Sequence, residues 1–234
     1  MRFFRDLVRK LKYRAKFFGI YKDLNLSYLK TSKTNQELKN LMDLHGSDKG
    51  GLNNQHNFAQ YYSEIFHNKK SKIKNLLEIG LGSNNPEVPS NMGKDGKPLA
   101  SLRAWKDFFK NANIYGADID ESILSNEDRI QTFYVDQTNP ESIKKMFKEI
   151  GNIKFDIILE DGLHEYNANI CFFENAIDYL DEEGTYIIED IYYKDQKKFI
   201  NYFKNSKYNF SIVDIFHSNN ISNNCLIVIT KNGL

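Results

Sequence analysis

Residues 155–164, Phe-Asp-Ile-Ile-Leu-Glu-Asp-Gly-Leu-His, constrain this chain more than any other stretch. The run is apolar and β-favouring, and polar residues and a glycine bound it, which predicts a buried parallel strand. At its carboxyl end Glu160 and Asp161 meet Gly162 and then His164. Residues 185–188 repeat the arrangement, a short β-rich run that ends in Glu189 and Asp190. Open α/β sheets bind their ligands just outside the carboxyl ends of the strands. Four carboxylates and a histidine at two such ends therefore mark a candidate site. Neighbouring residues of a strand point to opposite faces, so Glu160 should be structural where Asp161 is functional. The competing reading is that Asp161 and Asp190 cap the helices after their strands, with His164 on the surface.

The rest of the chain supplies the strands and helices such a site needs. Strands are predicted at residues 75–79, 113–119 and 131–135, ahead of the two above, and 208–216 and 224–230 form a closing hairpin around Ser218-Asn219-Asn220. Between them fall helices at 35–44, 58–66, 99–109, 139–149, 168–180 and 194–203, with Asn139 as a cap and Pro140 in the first turn. Strand and helix alternate, which predicts an α/β sheet, mainly parallel, with helices on both faces and an antiparallel hairpin at the carboxyl terminus. Gly184 stands between the helix at 168–180 and the strand at 185–188, and residues 21–34 read as a linker.

Composition closes off several classes. With 234 residues, 41% hydrophobic and 14% aromatic, the chain can bury the core of one ordinary domain. A net charge of +1 argues against bulk binding of nucleic acid. Cys171 and Cys225 have no ligand spacing and lie among apolar residues, so they read as thiols of a reducing compartment. No apolar run is long enough to span a bilayer, and the amino terminus lacks the features of a secretory signal, which makes the cytoplasm the expected location. Residues 2–20 interleave Phe3, Phe4, Leu7, Val8 and Leu11 with basic side chains near helical spacing. Such a helix can lie on an anionic membrane or pack on its own domain or on a second subunit, giving a homo-oligomer; packing is the preferred reading. Residues 1–45 are thus set apart as a basic, helical extension of a domain spanning 46–234.

Two further stretches carry candidate chemistry. Glu78-Ile79-Gly80-Leu81-Gly82 ends the first strand of the site-bearing sheet in glycines, which let a backbone approach a ligand closely. The third glycine of the dinucleotide fingerprint is missing, and residues 83–97 form a polar insert instead. Asp118 ends the next strand, where an acid commonly holds ribose hydroxyls. Before the sheet, Gly46-Ser47-Asp48-Lys49-Gly50-Gly51 reads as a helix-to-helix turn or as a lid whose Asp48, Lys49 and His56 reach a ligand.

Taken in order, Glu-Ile-Gly-Leu-Gly, Tyr-Gly-Ala-Asp-Ile-Asp, Asp-Gln, Asp-Gly-Leu-His and Ile-Glu-Asp resemble the class I S-adenosylmethionine methyltransferases. More narrowly, the chain resembles the metal-dependent sugar O-methyltransferases of the macrocin and mycinamicin type, from about residue 46 to 230, a group with relatives that act on bacterial surface polysaccharides. The resemblance implies a Rossmann-like methyltransferase sheet and S-adenosylmethionine as cofactor. It places Gly80 and Gly82 against the methionine part of the cofactor, with Glu78 beneath the turn, and Asp118 on the ribose. It puts Asp136 and Gln137 near the adenine and Ser47 and Lys49 in a segment closing over the cofactor. It implies a divalent cation, magnesium or manganese, on Asp161, Glu189 and Asp190, with His164 as general base. The acceptor would be a small sugar, nucleotide-linked or part of a polysaccharide precursor, and no nucleic acid would be involved. Leu163 departs from the small polar residue that relatives often have there, which bears on the shape of the acceptor pocket.

The chemistry agrees with that reading. Hard carboxylate oxygens suit magnesium or manganese better than zinc. A cation chelated by neighbouring hydroxyls lowers their pKa, and a histidine can then take the proton. Other readings are a catechol-like or phosphorylated acceptor, a non-catalytic member of a glycan-assembly complex, and a nicotinamide-dependent dehydrogenase. The missing glycine and the acidic cluster speak against the last.

Overall fold

The computed structural model describes residues 21–23, 33–51, 56–215, 217, 220 and 222–232. The expected basic helix over residues 2–20 lies outside them. The strands are β1 (Tyr21–Asp23), β2 (Asn75–Ile79), β3 (Asn113–Asp118), β4 (Ile130–Tyr134), β5 (Phe155–Glu160), β6 (Leu180–Ile188), β7 (Asn209–Asp214) and β8 (Cys225–Thr230). The α-helices are α1 (Lys33–His45), α2 (Phe58–Phe66), α3 (Ala100–Phe108), α4 (Pro140–Ile150), α5 (Tyr166–Ala176) and α6 (Gln196–Lys204).

Among the described residues the strands form one eight-stranded sheet in the order β1-β7-β8-β6-β5-β2-β3-β4. Pairs from β6 through β5, β2 and β3 to β4 are all parallel. β8 runs antiparallel to both β6 and β7, so the closing hairpin enters the sheet with its second strand innermost. This is the mainly parallel sheet with a terminal antiparallel hairpin that the alternation of elements predicts.

Side chains of alternate strand residues fall into two separate cores, as the two-residue period of a strand requires. Leu76 and Ile157 pack with Leu38 and Met42 of α1, Tyr62 and Phe66 of α2 and Trp105 of α3. Leu77 and Ile158 point the other way, onto Phe147 of α4, Phe172 and Phe173 of α5 and Phe199 of α6. Both faces are therefore covered, and each large side chain buried this way contributes about 1.5–3 kcal/mol. Of the 1–45 segment, α1 is built into the first of these cores. Asn139 caps α4 by accepting the Glu141 and Ser142 amides, and Pro140 takes the first turn.

Two stretches differ from the sequence reading. Part of the expected linker, Tyr21–Asp23, pairs in parallel with β7 at the sheet edge. The helix expected over 168–180 ends at Ala176, passes through a 3-10 turn at Ile177–Tyr179, and gives way to β6 at Leu180. Gly184 lies inside this strand. Leu180 pairs with Phe155 but Thr185 already pairs with Ile157, so the residues between loop out as a bulge. A glycine within a strand commonly marks such a bulge, which sequence alone does not separate from a turn.

Candidate active site

The strand register lines up the candidate residues. Ile79 lies beside Glu160, and Glu160 beside Ile188, so Gly80, Asp161 and Glu189 leave the sheet side by side. Backbone bonds continue the pairing past the strand ends, from Gly80 N–H to the Ala117 carbonyl, Asp161 N–H to Ile79 and Glu189 N–H to Glu160, all at 2.8–2.9 Å. Beyond this edge, one ligand atom each from Asp161, His164 and Asp190 fall within 4.8 Å of one another. His164 Nε2 stands 3.9 Å from Asp161 Oδ1 and 3.7 Å from Asp190 Oδ2. Both His164 (φ 58°) and Asp190 (φ 57°) take the left-handed backbone conformation that non-glycine residues avoid. Strain of this kind costs about 1–3 kcal/mol per residue and collects at functional sites.

The cluster holds more carboxyl groups than basic ones. Lys49, almost fully buried, donates from Nζ to Asp161 Oδ2 and, at 2.7 Å, to Glu189 Oε2. It also lies 3.4 Å from Glu78 Oε1. Burial works against the ammonium, but Asp161, Glu189 and Glu78 outweigh it and hold the Lys49 pKa well above its ordinary value. The other oxygen of Glu189 accepts the Tyr62 hydroxyl at 2.5 Å. Burial, with the charges of Asp161 and Glu189, pushes the Asp190 carboxyl well up. Among the described residues Asp190 Oδ1 and His164 Nδ1 are buried without a hydrogen-bond partner, although His56 Nδ1 approaches Asp190 Oδ1 to 3.3 Å. Burial lowers the His164 pKa, leaving its ring uncharged at neutral pH.

A cavity of about 540 Å³ opens from this cluster along the sheet edge. Ser47, Lys49, Gly80, Gly82, Asp118, Asp136, Gln137, Asp161, His164 and Asp190 all line it. Gly80 (φ 88°) is obligatory, since any Cβ there would overlap the Asp161 carbonyl. The first turn and the acidic loop are thus in backbone contact. Asp118 Oδ2 accepts the Leu81 amide at 2.6 Å and Oδ1 the Asp120 amide at 2.9 Å, which fixes the carboxylate facing the cavity. Ser47 caps the short turn Asp48–Gly50 by accepting the Lys49 amide.

No protein-family model matches the chain. It is 31% identical over 147 residues, 63% of this chain and 35% of the relative, to the 8-demethyl-8-alpha-L-rhamnosyl tetracenomycin-C 2'-O-methyltransferase of Streptomyces olivaceus. It is likewise 31% identical over 138 residues, 58% of this chain and 32% of the relative, to the demethylmacrocin O-methyltransferase of Streptomyces fradiae. A crystal structure of the MycE methyltransferase from the mycinamycin biosynthetic pathway, in complex with Mg, SAH and mycinamycin VI, matches with a TM-score of 0.55 and 31% identity. That match covers 66% of this chain and 39% of the other. Its homologues are sugar O-methyltransferases of the macrocin and mycinamicin type. The chain spans about a third of the length of the curated relatives it matches. Its sheet is the Rossmann-like class I methyltransferase sheet.

Within this methyltransferase fold, not every residue singled out in the sequence faces the cavity. Glu78 and Glu189 lie beneath it, fully buried, each gripping another side chain: Trp105 Nε1 donates to Glu78 Oε2 at 2.8 Å, and Tyr62 holds Glu189. Gln137 touches the cavity but spends both polar ends inside the protein. Its amide donates to Glu160 Oε1 and its carbonyl accepts the Leu163 amide, both at 2.7 Å. Gly162 is glycine because a Cβ would strike that Gln137 oxygen. Glu160 is buried, as its facing predicts, and also takes Asn169 and Tyr186 as donors. Asn224, which hydrogen-bonds His56 at 3.2 Å, was not singled out in the sequence and has no motif to betray it. Tyr62 carries a signal only as a buried polar tip on an apolar helix.

Proposed function

We propose that this chain transfers a methyl group from S-adenosylmethionine to a sugar hydroxyl, aided by a divalent cation. The observation that carries the reading is the meeting of Asp161, His164 and Asp190 within 4.8 Å at the wall of a cavity that Gly80, Gly82 and Asp118 also line. The residues suit a magnesium-like cation: hard oxygens, an unpartnered Asp190 oxygen, and a lysine ammonium already drawn in as a stand-in positive charge. The sugar O-methyltransferase relatives, among them a protein crystallised with Mg and SAH, support it.

In this scheme Asp161 and Asp190 would hold the cation, joined by Glu189, which lies beneath the cavity with its oxygens on Lys49 and Tyr62. When bound, it would lower the pKa of a chelated sugar hydroxyl and fix its position. Asp118 orients the ribose hydroxyls, the Gly80 turn admits the methionine part, and Asp136 and Ser47 border the cofactor. His164, uncharged, takes the hydroxyl proton on a ring nitrogen. The sulfonium supplies the reactivity, so the chain's part is to place and polarise.

A second hollow, of about 430 Å³, shares Ser90, Leu163, His164 and Tyr192 with the first. It is the natural berth for the rest of the acceptor. Tyr166 and Tyr192 offer flat faces to a sugar, and Lys198 and Lys194 stand over them at 5.5 and 5.3 Å. Lys198 pairs with Asp195 at 2.8 Å, so Lys194 is the lining lysine proposed to meet an anionic group of the acceptor, such as that of a nucleotide-linked or polysaccharide-precursor sugar.

The test is release of S-adenosylhomocysteine across a panel of nucleotide sugars and neutral glycosides, with and without chelator. Turnover on at least one of them, abolished by chelation and restored by Mg²⁺ or Mn²⁺, is expected. Turnover that survives exhaustive chelation would remove the cation from the scheme. Turnover confined to neutral glycosides would remove the anionic acceptor.

A further inference from the structure

Lys49 poses a problem for any cation at this site, because its ammonium already occupies oxygens of two of the three proposed ligands, Asp161 and Glu189. A divalent ion and an ammonium cannot share those oxygens without strong repulsion. Nor can the ammonium simply be released, since a buried charge without a partner is costly and Lys49 is only 2% exposed.

The structure contains a place for it to go. Glu78 Oε2 is pinned by Trp105, and among the described residues Glu78 Oε1 is buried with no hydrogen-bond partner. That oxygen lies 3.4 Å from Lys49 Nζ, close enough for a rotation of the lysine side chain, larger than the approach alone requires, to carry the ammonium off Asp161 and Glu189 while it stays paired with Glu78. Glu189, meanwhile, keeps its place when its Oε2 changes partner, because Tyr62 holds Oε1.

We propose that Lys49 is a two-position counter-cation: its ammonium neutralises Asp161 and Glu189 in the metal-free protein and moves onto Glu78 when a divalent cation takes those carboxylates. Lys49 is then a positioning residue of the cation site, and Glu78 is its alternative seat. The inference rests on the cation reading above and adds an order of events at the carboxylates. It also explains a fully buried acid, Glu78, directly under the glycine turn yet outside the cavity.

The experiment is a Mn²⁺ titration, followed by electron paramagnetic resonance, of the wild type, Lys49→Met, Glu78→Gln and the double variant. Removing the competitor should tighten Mn²⁺ binding by about tenfold, within the range common for coupled sites. Glu78→Gln should weaken it by a similar factor, because the ammonium loses its second seat. In the Lys49→Met background Glu78→Gln should change little. Equal weakening by Glu78→Gln in both backgrounds would show that Glu78 acts only as a nearby charge, and unchanged or weaker binding in Lys49→Met would show no competition. Either result overturns the inference while leaving the cation reading intact. A wild type that binds no Mn²⁺ overturns the cation reading itself. Should Lys49→Met fail to fold, Lys49→Gln keeps a donor in the cluster and carries the same expectations.

Discussion

The two ends of the cavity are built on opposite principles. At the glycine end the carboxylate is satisfied by the protein itself: Asp118 spends both oxygens on the amides of Leu81 and Asp120 and stands ready in one orientation. At the acidic end Asp161, Glu189 and Glu78 crowd around one buried ammonium, His164 and Asp190 hold strained backbones, and among the described residues buried oxygens of Asp190 and Glu78 lack hydrogen-bond partners. The first end is organised to receive a ligand with hydroxyls to donate. The second gathers more carboxyl groups than basic ones, and on the proposed reading a cation would complete it. The contact between Gly80 and the Asp161 carbonyl joins them, so each end sets the position of the other.

The largest expected effect lies at His164. Its replacement by Ala should lower turnover by about 10²–10⁴-fold, the usual contribution of a general base, while calorimetric affinities for S-adenosylhomocysteine and Mn²⁺ stay close to those of the wild type. A loss of cation affinity as large as the loss of turnover would instead make the histidine a ligand.

At the glycine end, Asp118→Ala should cost about 1.5–3 kcal/mol of cofactor affinity, the worth of hydrogen bonds to a charged group. Calorimetry on S-adenosylhomocysteine reads this directly. The same change also frees the Leu81 and Asp120 amides, so some fall in melting temperature should accompany it. Gly80→Ala tests the joint between the ends. The overlap with Asp161 and the left-handed backbone should lower stability by about 1–3 kcal/mol in chemical denaturation, and both ligands should bind more weakly. Damage confined to one ligand would mean that the ends are independent.

The smallest effect concerns Glu160, which ties Gln137 and the Leu163 loop to the sheet. Burial raises its pKa from an ordinary 4.5 to about 8, against the donors Tyr186, Asn169 and Gln137. The folded chain therefore holds this proton more tightly than the unfolded one. The associated stability is complete below about pH 4.5 and is lost as pH rises through about 8. Glu160→Gln should thus gain on the wild type in melting temperature as pH climbs through that window. A constant difference would mean that the carboxyl is ionised throughout.

How much of this was legible in the sequence follows from how local each feature is. The parallel core strands and most helices announce themselves through apolar periodicity and caps, and Asp161, His164 and Asp190 sit where strand ends predict a site. The start of β6 was hidden because Gly184 signals a turn and a bulge equally well. Lys49 lies 112 residues from Asp161, and Tyr62 lies 127 from Glu189. No spacing rule reaches across such separations. Only the packing of α2 and the Asp48–Gly50 turn over the sheet edge brings them together. The same holds for Gln137, which the resemblance put near the adenine but whose side chain is committed to Glu160 and Leu163.

The account stands most directly on a Mn²⁺ titration of the wild type, Asp190→Asn and Asp118→Ala, read by water-proton relaxation. It predicts one tight site in the wild type, lost in Asp190→Asn and kept in Asp118→Ala, since the acidic end and not the glycine end holds the cation. Retention of the site in Asp190→Asn, or its equal loss in Asp118→Ala, would contradict it.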